Sequence, residues 1–448
     1  MRATLRLHHN QENWMHRRNF LIRAGQTLSA AALASAFERA HALSALPNPE
    51  SQDWESVRAL FNVDPQIIQM SAFFLASHPK PVRDTIEEHR RALDANPIDY
   101  IYANDEKCEA AVCAAAAHYM EVEPGDVALT DSTTMGLGLL YSSLKLSPGQ
   151  EILTTTHDHY STETSLRLRA ERTGTNIRRV NLYDDPENAS SAQILDRLSK
   201  VITPKTRVVA VTWVHSCSGV KLPIAQMAEV VKKANANRAE NDRALLCVDG
   251  VHGFGSVNQS VNDLGCDFFI SGCHKWIFGP RGTGLVWGKP EAWRVAHATI
   301  PTFDLEAYEM WMNVKPQAPI PVGRIMSPGG FHAFEHRWSL HKAFELHQQL
   351  GRARVEQRIN QQNGQLKEGL SKLPGVRLRT PMSPELSAGI TCFEIKGLAP
   401  DAAVQKLRAQ NIVASVTPYK TLYVRLSPSL LTTPEQVDQT LAAVKNLA

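Results

Sequence analysis

One lysine stands where its amine would be free to react. The run Ser271-Gly272-Cys273-His274-Lys275-Trp276-Ile277-Phe278-Gly279-Pro280-Arg281-Gly282-Thr283-Gly284 sets Lys275 among apolar residues and beside a histidine. An ammonium in such surroundings sheds its proton readily, and the neutral amine is the form that attacks a carbonyl to make an imine. The flanking glycines allow close backbone approach. A lysine between apolar neighbours is also the ordinary pattern of a side chain that snorkels to water. Asp249, in Asp249-Gly250-Val251-His252, closes an apolar run. A carboxylate there is costly to bury unless it meets a cation or a donor; otherwise it is a solvated residue opening a turn. His157-Asp158-His159-Tyr160 offers two histidines for ring stacking, for proton transfer, or as an i, i+2 metal pair, but no third ligand stands at a metal spacing. Asp131-Ser132-Thr133-Thr134-Met135-Gly136 opens a helical pattern with three hydroxyls. It is either an anion site at the positive end of a helix or a plain N-cap.

These segments each follow a predicted strand. Short apolar runs at 127–130, 151–155, 177–180, 208–213 and 244–248 read as strands, with amphipathic helical stretches at 135–144, 160–172, 192–201 and 224–236 between them. Strand–helix–strand alternation predicts right-handed crossovers and a mainly parallel, doubly wound sheet. In such sheets ligands bind beyond the carboxyl ends of the strands, where the four segments fall. Further strands are expected at 268–270 and 284–287, flanking the lysine loop. Helical patterns at 82–93 and 107–119 precede the sheet. A long one at 331–373 follows it, then strands at 387–395, 412–416 and 422–426 and a helix at 434–447. The expected organisation is an N-terminal arm (43–79) folding back on the smaller unit, a large domain (80–315) and a small C-terminal α/β domain (316–448).

The 448 residues suit a two-domain enzyme. A net charge of +3 gives no reason to expect nucleic acid or an anionic membrane as partner. Seven cysteines with no C-x-x-C pair exclude a disulfide framework and a zinc ribbon. Cys247 reads as a core residue. Cys273 is either a reactive thiol or a packing residue. His332 and His336 are spaced i, i+4 in the helical pattern, but the glutamate between them is misplaced for H-E-x-x-H, and no metal site is expected. The stretch 303–311 either shapes a substrate pocket or forms a domain-linker contact. Arg17-Arg18, a weakly apolar stretch at 27–37 and Ala40-His41-Ala42 read as a twin-arginine signal over residues 1–42, with Met1 or Met15 as the start. The alternative is an alanine-rich amphipathic helix. The signal predicts the twin-arginine (Tat) export machinery as a partner and the periplasm as destination, without permanent membrane insertion.

The ordered set Thr133-Thr134, Asp158-His159, Asp249-x-x-His252 and His274-Lys275, with the Gly-Pro-x-Gly-x-Gly loop behind it, resembles the class V aminotransferase family over nearly all of the chain from residue 52. The resemblance implies a fold-type I transferase dependent on pyridoxal 5′-phosphate (PLP). It implies Lys275 as the lysine that carries PLP as a Schiff base and Asp249 as the partner of the pyridine nitrogen. His159 matches the histidine stacked on the cofactor, and Thr133, Thr134 and His274 match its phosphate cradle. His252 falls near the phenolic oxygen. Arg425, in Val424-Arg425-Leu426-Ser427, matches the arginine that clamps a substrate carboxylate. A homodimer is implied too.

Departures refine this. Desulfurases carry a nucleophilic cysteine shortly before the clamp arginine, and residues 413–423 contain none. His215-Ser216-Cys217-Ser218-Gly219 and Cys273-His274-Lys275-Trp276 resemble the isopenicillin N epimerase-like branch, and the export signal resembles that of an exported member that tailors the siderophore pyoverdine. The family's Gly-Thr contact to a neighbouring subunit's phosphate is replaced by Gly329-Gly330, with Ser327 as a candidate substitute. The implied chemistry acts at the α-carbon of an amino acid or an amino-acid-containing metabolite, as transamination or epimerisation, with Lys275 as the base. A C–S β-lyase and a non-catalytic protein of this fold are the alternatives. A nucleotide-binding Rossmann protein would need G-x-G-x-x-G after the first strand, which is lacking.

Overall fold

A computed structural model describes residues 53–316 and 318–448. The reading of residues 1–42 as an export signal lies outside the described residues. β1 (Ile68–Gln69) belongs to the arm. Helices α1 (Lys80–Ala95) and α2 (Pro97–Met120) follow. β2 (Val127–Thr130), β3 (Glu151–Thr155), β4 (Asn176–Val180), β5 (Thr206–Thr212), β6 (Leu245–Asp249), β7 (Phe268–Gly272) and β8 (Gly284–Gly288) form one sheet in the order β2-β8-β7-β6-β5-β3-β4. The pairs from β4 through β7 are parallel, and β8 runs antiparallel to β7 and β2. Every residue of β5 and β6 is buried, as a strand covered on both faces requires. The edge strand β4 carries Arg178 and Arg179, charges that blunt further pairing.

Helices α3 (Thr133–Ser143), α4 (Tyr160–Thr173), α5 (Ser191–Val201) and α6 (Ile224–Ala234) are the crossovers. Ser132 and Ser190 cap α3 and α5 by accepting from Met135 N and Gln193 N. Gly136 lets α3 lie directly on the sheet, since a Cβ there would stand 2.8 Å from Ile270. Separate apolar clusters fill the two faces of the sheet.

The predicted helix at 331–373 is two helices, α7 (Phe334–Leu350) and α8 (Arg352–Ser371). Gly351 separates them at φ +77°, a left-handed conformation that ends α7 while the apolar period continues. α7 begins after His332, so His332 and His336 do not share a helix. β9 (Val376–Leu378), β10 (Thr391–Ile395), β12 (Ser415–Val416) and β13 (Val424–Leu426) make an antiparallel sheet in the order β12-β13-β10-β9. The predicted strand at 412–416 is likewise divided. β11 (Ile412–Val413) pairs in parallel with β1 of the arm, while β12 pairs with β13. α9 (Pro400–Arg408) and α10 (Pro434–Lys445) cover this sheet. A further core joins the arm to the lysine loop and the small sheet through Phe61, Phe73, Trp276, Phe278, Ile390 and Cys392. Among the described residues no helix is long and apolar enough to cross a membrane.

Candidate active site

The loop between β7 and β8 is braced before it presents its lysine. Cys273 N donates to Thr283 O (2.9 Å), Gly279 N to Cys273 O (2.8 Å) and Phe278 N to Lys275 O (3.0 Å). Phe278 sits at φ +58°, uncommon for an aromatic residue. Its ring is held between Phe61 and His347, and His347 Nε2 in turn bonds Trp276 O at 2.8 Å. Such local strain persists only where the surroundings over-determine it. Lys275 is half-buried, and its Nζ lies 3.5 Å from His252 Nε2. Burial lowers its pKa, the Asp249 carboxylate opposes that shift, and Arg425 adds to it. Cys273 is fully buried and its thiol is pushed far up by burial, which makes it a packing residue.

Asp249 ends β6 at 2% exposure and accepts from Val251 N at 3.1 Å. Burial raises its pKa, against the pull of that N–H and of Lys275. The turn behind it needs glycine twice. A Cβ on Gly250 would stand 2.1 Å from the Phe269 ring, and one on Gly253 2.2 Å from the Trp213 ring. His252 is buried and held neutral, chiefly by burial and then by Lys275 and Arg425. Its Nδ1 has no hydrogen-bond partner among the described residues.

The two histidines after β3 part company. His157 stacks on Tyr183, ring centroids 3.9 Å apart, and its Nε2 accepts from Leu182 N. His159 caps α4 by accepting from Ser161 N at 3.2 Å, and it is kept neutral by burial and by Lys275. Asp158 is consumed internally by Thr154 Oγ1, Thr155 N and Oγ1, and Thr212 Oγ1, at 2.7–2.9 Å. It fixes the turn that aims His159.

The N-terminus of α3 is tied to the lysine loop. Thr133 Oγ1 accepts from Gly272 N at 2.7 Å, and Thr134 Oγ1 lies 2.9 Å from Ser161 Oγ. His274 lies close by, because a Cβ on Gly272 would meet both its ring and Thr133 Oγ1 within about 3 Å. Burial lowers its pKa to about 4, helped by Lys275. Ser132, Thr133, Thr134 and His274 thus gather polar groups at a helix N-terminus, where an anion is favoured.

Arg425 enters from β13, buried to 4% exposure. Nε donates to Ser415 Oγ (3.0 Å) and Nη1 to Ser216 O (2.9 Å), with Nη2 3.4 Å from Val416 O. Its guanidinium lies 4.3 Å from the centroid of the Phe73 ring, a cation–π contact supplied by the arm. Sequence reasoning missed Phe73, Ser216, Ser415 and Tyr419 as site residues. Ser216 could have been found as a residue shortly after a strand end. Phe73 and Tyr419 arrive from irregular segments with no period to read.

Other candidates separate from this centre. Ser327 Oγ accepts from Leu129 N (2.9 Å) and donates to Gly323 O (2.8 Å), so its hydroxyl is spent and it does not stand in for the missing threonine. His332 Nδ1 and His336 Nδ1 bond the carbonyls of Gly330 and Arg281. The aromatic stretch at 303–311 contains a short helix (Leu305–Trp311) with Trp311 80% exposed, so it forms surface.

Comparison with known proteins adds a family. The model of the family described as aminotransferase class-V matches residues 76–418. Isopenicillin N epimerase of Streptomyces clavuligerus is 24% identical over 88% of this chain and 98% of its own. Among solved structures, a C-DES variant with glycine covalently linked to its PLP cofactor superposes with a TM-score of 0.77 at 23% identity, covering 88% of this chain and all of that one. The cystine C–S lyase C-DES with its product cysteine persulfide gives 0.76 at 23% identity, covering 85% of this chain and 98% of that one.

Proposed function

Because this chain belongs to the aminotransferase class-V family and is a PLP-dependent enzyme, we propose that it acts at the α-carbon of an amino acid or an amino-acid-containing metabolite, with Lys275 as its covalent and catalytic amine. The residues present fit the cofactor. Lys275 offers a deprotonatable amine, Asp249 a buried carboxylate that accepts from Val251 N, and the start of α3 with His274 an anion cradle. His252 Nδ1 is a buried polar atom with no hydrogen-bond partner among the described residues. When bound, PLP supplies an aldehyde that captures amines and a ring that accepts the electron pair left on carbon when a proton departs.

The chain's own groups divide the remaining work. Asp249 would pair with the ring nitrogen and favour its protonation through its negative charge. His159 would supply the ring that stacks on the cofactor. Arg425 keeps N–H donors for a substrate carboxylate and orients it in a buried setting, where such bonds are strong. Lys275 Nζ, once released, takes the proton from the substrate's α-carbon and returns it, to the same or another atom. The observation that carries this reading is the half-buried Lys275, its Nζ 3.5 Å from the buried His252 at the turn that follows Asp249.

The epimerase relative and the absence of a cysteine in residues 413–423 favour transamination or epimerisation over persulfide-forming desulfuration. Cys217 lies near Arg425, but burial pushes its thiol up to about 11, which keeps it protonated. A β-lyase that eliminates thiol without a protein nucleophile is the second reading, favoured by the likeness to the cystine C–S lyase C-DES. Retention of Lys275, Asp249 and Arg425 argues against a non-catalytic role. We also propose export through the Tat machinery to the periplasm, and a homodimer formed over the exposed Phe303, Trp311 and Phe331.

The test is solvent-deuterium exchange, followed by mass spectrometry, on amino metabolites incubated with PLP-loaded protein. Every branch of the proposal requires loss of the α-proton with the wild type, read as α-deuterium in the recovered amino acid or as its keto-acid product, and neither with Lys275→Ala. Absence of both across the set would contradict it. Keto acid, inverted stereochemistry or released thiol identifies the branch.

A further inference from the structure

We infer that the hydroxyls of Tyr419 and Ser216 form a specificity-determining subsite that reads an oxygen on the substrate, beside the carboxylate held by Arg425. This rests on the proposed function and names its substrate class: α-amino acids whose side chain carries a carbonyl, amide or carboxylate oxygen.

Tyr419 rides on the turn between β12 and β13. That turn is closed by three bonds: Thr417 N to Tyr423 O (3.0 Å), Tyr423 N to Thr417 Oγ1 (2.9 Å) and Thr417 Oγ1 to Thr421 O (3.2 Å). It is a braced wall rather than a loose flap. The Tyr419 hydroxyl meets Ser216 Oγ at 2.7 Å, and its ring packs edge-on to His159, centroids 5.9 Å apart. Ser216 is fixed as firmly. Its carbonyl accepts from Arg425, Ser218 O accepts from Thr380 Oγ1 (2.6 Å), and Lys221 N donates to Leu386 O (2.8 Å). Gly219, at φ +74°, lies so close that a Cβ would stand 2.2 Å from Ile390 O. Two chain segments 203 residues apart therefore place two hydroxyls next to Arg425 and next to His159.

Counting protons gives the chemistry. Two hydroxyls hold two protons, and their mutual bond uses one. Among the described residues neither hydroxyl makes another hydrogen bond, so one O–H is left to donate. Burial pushes the Tyr419 phenol far above its ordinary range, so it remains a donor at neutral pH and is no base. A half-buried donor of this kind rewards a substrate oxygen and penalises a hydrocarbon of the same shape, which leaves it unpaired. Lys420, the next residue, is exposed at the turn's surface.

The test uses isosteric pairs, asparagine with leucine and glutamine with its hydrocarbon isostere, titrated into PLP-loaded protein and followed by the cofactor's absorption. For at least one pair the wild type should bind the oxygen-bearing member about tenfold more tightly, the size of one net hydrogen bond. The double variant Tyr419→Phe/Ser216→Ala, which removes both protons, should bring that ratio to about twofold or less, while either single variant leaves one O–H to donate. Thermal melting confirms that each variant is folded. A wild type without preference, or a preference intact in the double variant, would overturn the subsite and leave the proposed function standing. If no amino acid perturbs the absorption of protein that borohydride labels at Lys275, the proposed function fails and the subsite with it.

Discussion

Asp249 and Arg425 present the same physical problem with opposite signs: a charge buried for a partner the chain does not itself provide in full. Among the described residues Asp249 has one backbone donor and feels the charge of Lys275; Arg425 has carbonyls, a serine hydroxyl and an aromatic face, but no carboxylate. Asp249→Asn keeps the shape and removes the charge, so we expect PLP to be retained while α-proton exchange falls by about 10²-fold or more, in the range seen when a preorganised charge partner is lost. Arg425→Lys keeps the charge and removes the planar fork. Titration should show carboxylate-bearing amines binding at least ~30-fold more weakly, with simple amines unaffected. Equal losses for both ligand types would mean that Arg425 only supports the fold. Asp249, His159, Thr133 and Lys275 were legible because each ends or follows a strand of the large sheet, whereas Arg425, inside a strand of the small antiparallel sheet, was reached only through the family resemblance. The residues alone left His157 and His159 equivalent, and only the family resemblance pointed to His159. That choice is made by Tyr183, whose ring takes up His157 from 26 residues away.

The elements divide by how much of their context is local. β2 and β3 match the predicted 127–130 and 151–155 because fully buried strands show as unbroken apolar runs with polar ends. The break between α7 and α8 was hidden, since apolar spacing runs through Gly351 and the glycine alone marks the turn. The division of 412–416 was hidden too, because β11 and β12 differ only in which distant strand they meet. The two glycines separate a local from a non-local requirement. A Cβ on Gly351 would meet nothing within 4 Å, so Gly351→Ala should cost only the strain of its positive-φ backbone, about 1–3 kcal/mol by urea denaturation. Gly219→Ala adds a collision with Ile390 O and should destabilise by clearly more, while weakening carboxylate binding through the displaced Ser216 carbonyl. Equal stabilities for the two variants would contradict this assignment.

At the scale of the whole molecule, buried neutral histidines make stability depend on pH. His215 is fully buried beside Tyr183, and burial lowers its pKa to about 3. The unfolded chain takes up a proton there below about 6.5, while the folded chain does not. Stability is therefore full above that value and is lost progressively as pH falls towards 3, with about 2 kcal/mol gone at pH 5 from this residue alone. His215→Asn should flatten the change in urea midpoint between pH 7 and pH 5, and an unchanged slope would assign the dependence elsewhere. The exposed aromatic surface of Phe303, Trp311 and Phe331 carries the expectation of a dimer in sedimentation, with Trp311→Glu and Phe331→Glu together shifting it to monomer. A monomeric wild type would remove the proposed interface.

The account turns on which amine PLP occupies. Borohydride reduction of the PLP-loaded protein, followed by peptide mapping, should place the pyridoxyl label on Lys275 and on no other lysine, and Lys275→Ala should carry none. A label elsewhere in folded protein, or no label at all, would contradict it.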